Sequence, residues 1–307
     1  MTLKSTLSAL AILAASPALA ECNEVTFSDV GWTDITATTA ATAVILEALG
    51  YETDIKILSV PVTYTSLAAG DIDIFLGNWM PTMEADIAPY REAGTVDTVR
   101  ANLQGAKYTL AVNKAAADLG IADFADIGKH KDALEGKIYG IEPGNDGNRL
   151  IMDMINGSSF GLDGFEVVES SEQGMLAQVD RADRKGEPIV FLGWEPHPMN
   201  ANFEMSYLTG GDDYFGPDFG GATVYTNTSA DYASKCPNVG KLLSNMEFSL
   251  AMENEIMGAI LNDGADPAEA AKAWLAANPK AWMGWLNGVT TEDGGDGMAA
   301  AMGIVGG

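Results

Sequence analysis

The stretch Pro188-Ile189-Val190-Phe191-Leu192-Gly193-Trp194-Glu195-Pro196-His197-Pro198-Met199-Asn200 carries the pattern from which the architecture can be read. Residues 188–192 are a short apolar run closed by glycine. Such a run reads as a buried strand, with Gly193-Trp194 in the turn after it. The pattern recurs upstream. A strand at 72–76 runs into Gly77-Asn78-Trp79-Met80-Pro81, and a strand at 24–28 runs through Val30 into the turn Gly31-Trp32-Thr33-Asp34. Helical patterns lie between such strands: 35–49, with Thr33 or Asp34 as N-cap and Gly50 just past its end, then 149–156 and 172–185. Strands alternating with helices belong to an α/β protein with mostly parallel sheets. Further strands are expected at 53–58, 107–113, 137–141, 165–169 and 223–226. From residue 229 the chain reads as helical, with Asp266-Pro267-Ala268-Glu269 a capped helix start.

The 307 residues amount to about two domains at roughly 150 residues each, enough to bury a sizeable core. Hydrophobic residues make up 47% and charged residues 20%, which excludes a disordered chain. Seventeen Lys and Arg stand against 43 Asp and Glu, a net charge of −26. That field repels phosphate backbones and anionic lipid, so nucleic acid is excluded as a partner, and it draws a cationic ligand. No linker, repeat or low-complexity tract interrupts the chain. Two lobes must therefore be joined by continuous strands that cross more than once.

Residues 1–20, MTLKSTLSALAILAASPALA, have one charge at Lys4, an apolar run from Leu7 to Ala14, and small residues at Ala18 and Ala20. The run falls short of the ~20 residues that span a bilayer. It reads as a secretory signal peptide cleaved after Ala20, which predicts a periplasmic protein. Cys22 follows Glu21 where lipid attachment would need a small residue, so lipidation is not expected. Cys236 is the only other cysteine, and an exported protein with two thiols most simply pairs them. Two free buried thiols are the alternative.

Several chemistries fail on context. Gly157-Ser158-Ser159-Phe160-Gly161 matches the nucleophile elbow of hydrolases, with His197 downstream. The elbow needs a strand before the serine, and here a helical pattern precedes it, so Gly157 reads as a helix terminator. Two histidines and no cysteine cluster are too few for a zinc site, and Asp212, Asp213 and Asp218 do not have EF-hand spacing. No metal or cofactor is expected.

Aromatic residues on loops stand out instead. Trp32, Trp79 and Trp194 each follow a strand directly, and in open α/β sheets the ligand crevice lies at the carboxyl ends of strands. Tyr108 sits early in the 107–113 strand, and Glu142-Pro143-Gly144-Asn145 follows another. Any one of these tryptophans is explained as readily by edge packing. Three at one topological position point to a site. Converging indoles suit a cation that donates no hydrogen bonds, a quaternary ammonium, each ring face contributing about 0.5–2 kcal/mol. Trp274, Trp282 and Trp285 lie in the helical C-terminal region and read as core.

These residues resemble the periplasmic substrate-binding proteins of ABC importers for quaternary ammonium compounds, specifically the choline-binding members. The resemblance covers about residues 22–285. It rests on Gly31-Trp32-Thr33-Asp34, Gly77-Asn78-Trp79-Met80-Pro81, Tyr108, Glu142-Pro143-Gly144-Asn145-Asp146 and residues 193–200, in that order. It implies a two-lobed, type II-like periplasmic-binding-protein fold with the ligand in the interlobe cleft. It also implies an aromatic box of Trp32, Trp79, Tyr108 and Trp194 with Asp34 and Asn145 as polar partners, and a disulfide matching Cys22 and Cys236. The partners implied are choline or a related quaternary ammonium, and an inner-membrane permease with its ATPase. A monomer without catalytic activity is expected. Lobe one then comprises 21–110 and 219–307 and lobe two 111–218, crossing near 104–108 and 220–224. One continuous sheet is not expected. Trp32, Trp79 and Tyr108 fall in lobe one, Asn145 and Trp194 in lobe two, so the box is complete only when the lobes close.

Choline and glycine betaine share the trimethylammonium head, so the tail must separate them. A betaine carboxylate needs an Arg, a His⁺ or aimed backbone N–H groups, whereas a hydroxyl can donate to a carboxylate and accept from an amide. Asp34 and Asn145 favour the hydroxyl. His197, three residues after Trp194, is the one basic group that could serve betaine, as in some betaine-binding relatives; the favoured reading is that it braces its loop between Pro196 and Pro198.

Overall fold

The computed structural model describes residues 22–305, so the signal peptide expected at 1–20 lies outside the described residues. Its strands are β1 (Glu24–Asp29), β2 (Glu52–Ile57), β3 (Ile74–Met80), β4 (Val96–Asn113), β5 (Lys137–Tyr139), β6 (Glu166–Val168), β7 (Val190–Glu195), β8 (Met205–Tyr207) and β9 (Gly221–Ser229). Helices α1 (Thr33–Ala48), α2 (Val60–Ala69) and α3 (Glu84–Glu92) follow β1, β2 and β3 in turn. The helices Asp146–Asn156 and Glu172–Lys185 separate β5, β6 and β7.

The hydrogen-bonded order is β2-β1-β3-β9-β4-β7-β5-β6, with β8 beside β4. Two α/β units sit at its ends. In β2-β1-β3 the pairing is parallel, as it is in β7-β5-β6. The middle is antiparallel: β3 with β9, and β4 with β7, β8 and β9. The expectation of separate, mostly parallel sheets is thus corrected to one mixed sheet. The cause is β4, whose 18 residues pair first with β9 and then with β7, carrying hydrogen bonding from one unit to the other. The stretches expected at the crossings lie side by side, Gln104 opposite Thr223 and Lys107 opposite Gly221.

Helix α1 shows how sequence builds the core. Its TDITATTAATAVILEA is buried at nearly every position, since it packs on the sheet and under the helices Leu250–Leu261 and Pro267–Ala277. Alanine and threonine allow that close approach. The Thr38 and Thr42 hydroxyls donate to the carbonyls of Asp34 and Thr38, at 3.0 and 2.7 Å, so these two buried hydroxyls are satisfied within the helix. Asp266 caps the later helix as expected, accepting from the Ala268 and Glu269 amides.

Cys22 and Cys236 form the disulfide, with Cα atoms 5.6 Å apart and 214 positions between them. Loop-entropy reasoning gives such a bridge about 4–5 kcal/mol.

Four local expectations are corrected. Helix α1 begins at Thr33 with Trp32 as its N-cap residue, and no side chain of its own caps it. Trp79 lies within β3, because pairing of Asn78, Trp79 and Met80 with β9 prolongs the strand beyond a register shift after Phe75. Trp194 lies within β7, held by pairing with β4. Trp282 and Trp285 are core, but Trp274 is only half-buried and its indole donates to the exposed Glu255.

Candidate binding site

One cavity with about 260 Å³ of empty space opens where α1 begins and β3 and β7 end. Trp32, Asp34, Trp79, Tyr108, Asn145 and Trp194 all line it, joined by Ile141 and Asp146. All six residues expected from the sequence come together.

Each arrives by its own local logic. Gly31, at a φ of +83°, turns the chain so that Trp32 and Asp34 stand at the start of α1. Tyr108 and Trp194 are directly opposite each other across β4 and β7, their rings 6.3 Å apart and near perpendicular. Tyr108 also meets Trp79 at 6.1 Å and, from behind, Phe215 at 5.7 Å, both edge to face. Asn145 caps the helix Asp146–Asn156: its Oδ1 accepts from the Asn148 amide at 3.1 Å and from the Tyr108 hydroxyl at 2.9 Å. Gly147 permits that approach, because a Cβ there would lie 2.1 Å from the Tyr108 hydroxyl oxygen.

The indole of Trp32 donates to Glu142 Oε1 at 2.9 Å and that of Trp79 to Asp34 Oδ2 at 3.1 Å. Both rings therefore have their one polar group satisfied and offer a ligand apolar, electron-rich surface. Two lining carboxyl oxygens have no partner, Asp34 Oδ1 and Asp146 Oδ2. A stranded buried polar atom costs about 1–3 kcal/mol, which makes these atoms the natural contacts for a ligand. Asn145 Nδ2 donates to Asp146 Oδ1 at 3.2 Å and keeps a second hydrogen to give.

The electrostatics are one-sided. Burial, with the nearby Glu172 adding to it, pushes Asp34 up to about 8. Burial likewise raises Glu142 to about 7 and Asp146 to about 6. Glu253, buried behind Asp34, is raised by its burial and by that neighbour. Among the described residues no Lys, Arg or His lines the cavity. Arg149, which follows Asp146 in the same helix, is paired with Asp86.

His197 is occupied elsewhere. Its Nδ1 accepts from the Met199 amide at 2.9 Å, which leaves the hydrogen on Nε2, facing Glu172 Oε1 at 3.1 Å. Its ring packs edge-on against Trp194 at 4.8 Å. It is bonded to its own loop and to Glu172 and does not line the cavity. The sequence reading missed Ile141, Asp146 and Glu142 as site residues, although Glu142 and Asp146 stand in a quoted motif. It also missed Glu172, whose position in the first turn of a helix resembles ordinary helix-end charge.

Residues 23–277 match the family model described as the substrate binding domain of an ABC-type glycine betaine transport system. The chain belongs to that family. Substrate-binding proteins of ABC transporters work outside the cytoplasm, and among the described residues no helix is long and apolar enough to cross a membrane. The fold is the two-lobed α/β fold of the family. A solved structure described as an ABC-transporter choline binding protein in complex with choline is 71% identical; 93% of this chain and 99% of that one are covered, with a TM-score of 0.92. The neighbour described as the same kind of protein in an unliganded semi-closed conformation gives 71%, the same coverages and 0.86. This substrate-binding protein therefore superposes better on the choline-bound arrangement than on the unliganded one. A curated relative from Chromohalobacter salexigens, described as uncharacterized protein ORF1, is 50% identical over 150 residues, covering 48% of this chain and 97% of the relative.

Proposed function

We propose that the protein captures choline in this cavity and delivers it to an ABC importer, a membrane permease with its ATPase. The observation that carries the reading is the pairing of four aromatic walls with an unpaired carboxyl oxygen on Asp34. A trimethylammonium group has no hydrogen to donate, so ring faces and diffuse negative charge are what can hold it. The choline hydroxyl has both needs of the polar end: it donates to Asp34 and accepts from Asn145 Nδ2. The choline-bound neighbour at 71% identity supports the same ligand.

Glycine betaine is the second reading, favoured by the family description. Its carboxylate would find no cation among the lining residues, and where Asp34 and Asp146 are ionised like charges so placed cost several kcal/mol. Choline is therefore preferred.

The same proposal includes two lobes, 21–110 with 219–307 and 111–218, that close on the ligand. Trp32, Asp34 and Trp79 belong to the first, Asn145 and Trp194 to the second. Tyr108, though numbered with the first, is bound to the second by its pairing with Trp194 and its hydrogen bond to Asn145. Ligand stabilises the closed state because only that state brings both sets together. Export through the segment 1–20, with cleavage after Ala20 and no lipid on Cys22, puts this activity in the periplasm.

The protein binds and does not catalyse. Ser159 follows a helix rather than a strand, its hydroxyl is paired with that of Tyr214 at 2.8 Å, and both ring nitrogens of His197 are engaged. Choline is expected to raise the melting temperature of the Ser159→Ala variant as much as that of the parent protein. Labelling of Ser159 by a serine-directed phosphonate would revive the hydrolase.

A further inference from the structure

We propose that Glu172 is the latch that holds the closed box shut, a positioning residue that touches no ligand itself. It opens the helix Glu172–Lys185, whose N-cap Ser171 accepts from the Gly174 amide at 3.0 Å. From that anchored turn its carboxylate reaches across to the start of α1. There Oε2 accepts the Thr33 amide at 2.8 Å and Oε1 accepts the Thr33 hydroxyl at 2.6 Å. Oε1 also accepts from His197 Nε2 at 3.1 Å. Glu172 is 1% exposed, Thr33 3% and His197 2%.

The three bonds join the two halves of the site. Thr33 lies between Trp32 and Asp34, and His197 packs on Trp194, so one carboxylate ties the segment bearing the first wall to the loop bracing the last. Helix α1 has no side-chain cap of its own, and Glu172 does that work from the other lobe. A carboxylate at a helix N-terminus is also favoured by the helix dipole. Separating the lobes would cost Glu172 two of its three donors and leave the first turn of α1 uncapped. The latch and the aromatic box are therefore made and broken together, and the latch sets how long the site stays shut.

The latch rests on the choline reading, and stopped-flow tryptophan fluorescence with choline separates the two. Glu172→Ala is expected to raise the off-rate about tenfold or more, as loss of hydrogen bonds to a charged group would, with the on-rate nearly unchanged. Thr33→Val, which removes only the hydroxyl and leaves the amide, is expected to raise it about threefold. The double variant should release choline no faster than Glu172→Ala alone, because both changes remove the same contact. A purely structural role would move the unliganded melting temperature and leave the off-rates alone. Unchanged off-rates in Thr33→Val and in a folded Glu172→Ala, or fully additive effects, overturn the latch. A parent protein that gives no response to choline overturns the function reading, and the latch with it.

Discussion

Trp194→Ala is expected to weaken choline binding by more than tenfold. A desolvated indole facing a quaternary ammonium contributes about 2 kcal/mol, and every 1.4 kcal/mol is a factor of ten. The loss extends past one ring. Trp194 stands opposite Tyr108 in the β4–β7 pairing and against His197, so removing it also loosens a second wall and the loop held by Glu172. Truncating a buried tryptophan costs stability too, about 3–5 kcal/mol, so affinity is to be read by calorimetry on protein whose circular dichroism matches the parent. Trp194→Phe keeps a ring face and is expected to recover much of the binding. Equal affinity in Trp194→Ala and the parent would remove Trp194 from the site.

Asp34 gives the other large effect, and it depends on pH. Burial lifts its carboxyl from the ordinary 3.8 to about 8, so in the empty site near neutrality it holds a proton. A cation favours the charged form. Binding therefore releases that proton, and choline affinity is expected to rise about tenfold per pH unit up to about 8 and then level off. Glu142 at about 7 and Asp146 at about 6 steepen the dependence at lower pH. Stability runs the other way. An acid with a raised folded-state pKa contributes stability that is fully present below its unfolded value and lost as pH climbs towards 8. Asp34→Asn removes that loss: at pH 9 the variant, without ligand, is expected to melt higher than the parent while binding choline at least tenfold more weakly. Calorimetry in buffers of different ionisation enthalpy counts the released proton. A pH-independent affinity, or an Asp34→Asn variant that binds choline like the parent, contradicts this role.

The three tryptophans of the aromatic box were legible because each follows an apolar run, where a core reading is strained and a crevice is topologically expected; Tyr108, inside its strand, joined them only through the family resemblance. Asp34 and Asn145 became legible only through the family resemblance. What stayed hidden had physical reasons. The first half of β4 reads as polar and irregular, Val96-Asp97-Thr98-Val99-Arg100-Ala101-Asn102, and register shifts against β9 at three places break the alternation that marks a strand. Trp79 and Trp194 fall inside strands because pairing partners 145 and 86 positions away, Val224 and Tyr108, prolong those strands beyond their apolar runs. Glu172 and Glu253 look like solvated helix charges, and only the packing of α1 against distant segments buries them. In each case the missing information was a long-range contact.

Calorimetric titration of the same preparation with choline and with glycine betaine tests the central claim most directly. The two ligands share the head that the aromatic walls hold, so any difference reports on Asp34, Asn145 and Asp146 at the polar end. At pH 9, where Asp34 is ionised, choline is expected to bind at least tenfold more tightly than glycine betaine, since a like-charge clash in a dry site costs more than the 1.4 kcal/mol that a factor of ten requires. Betaine binding as tightly as choline, or more so, would contradict the account.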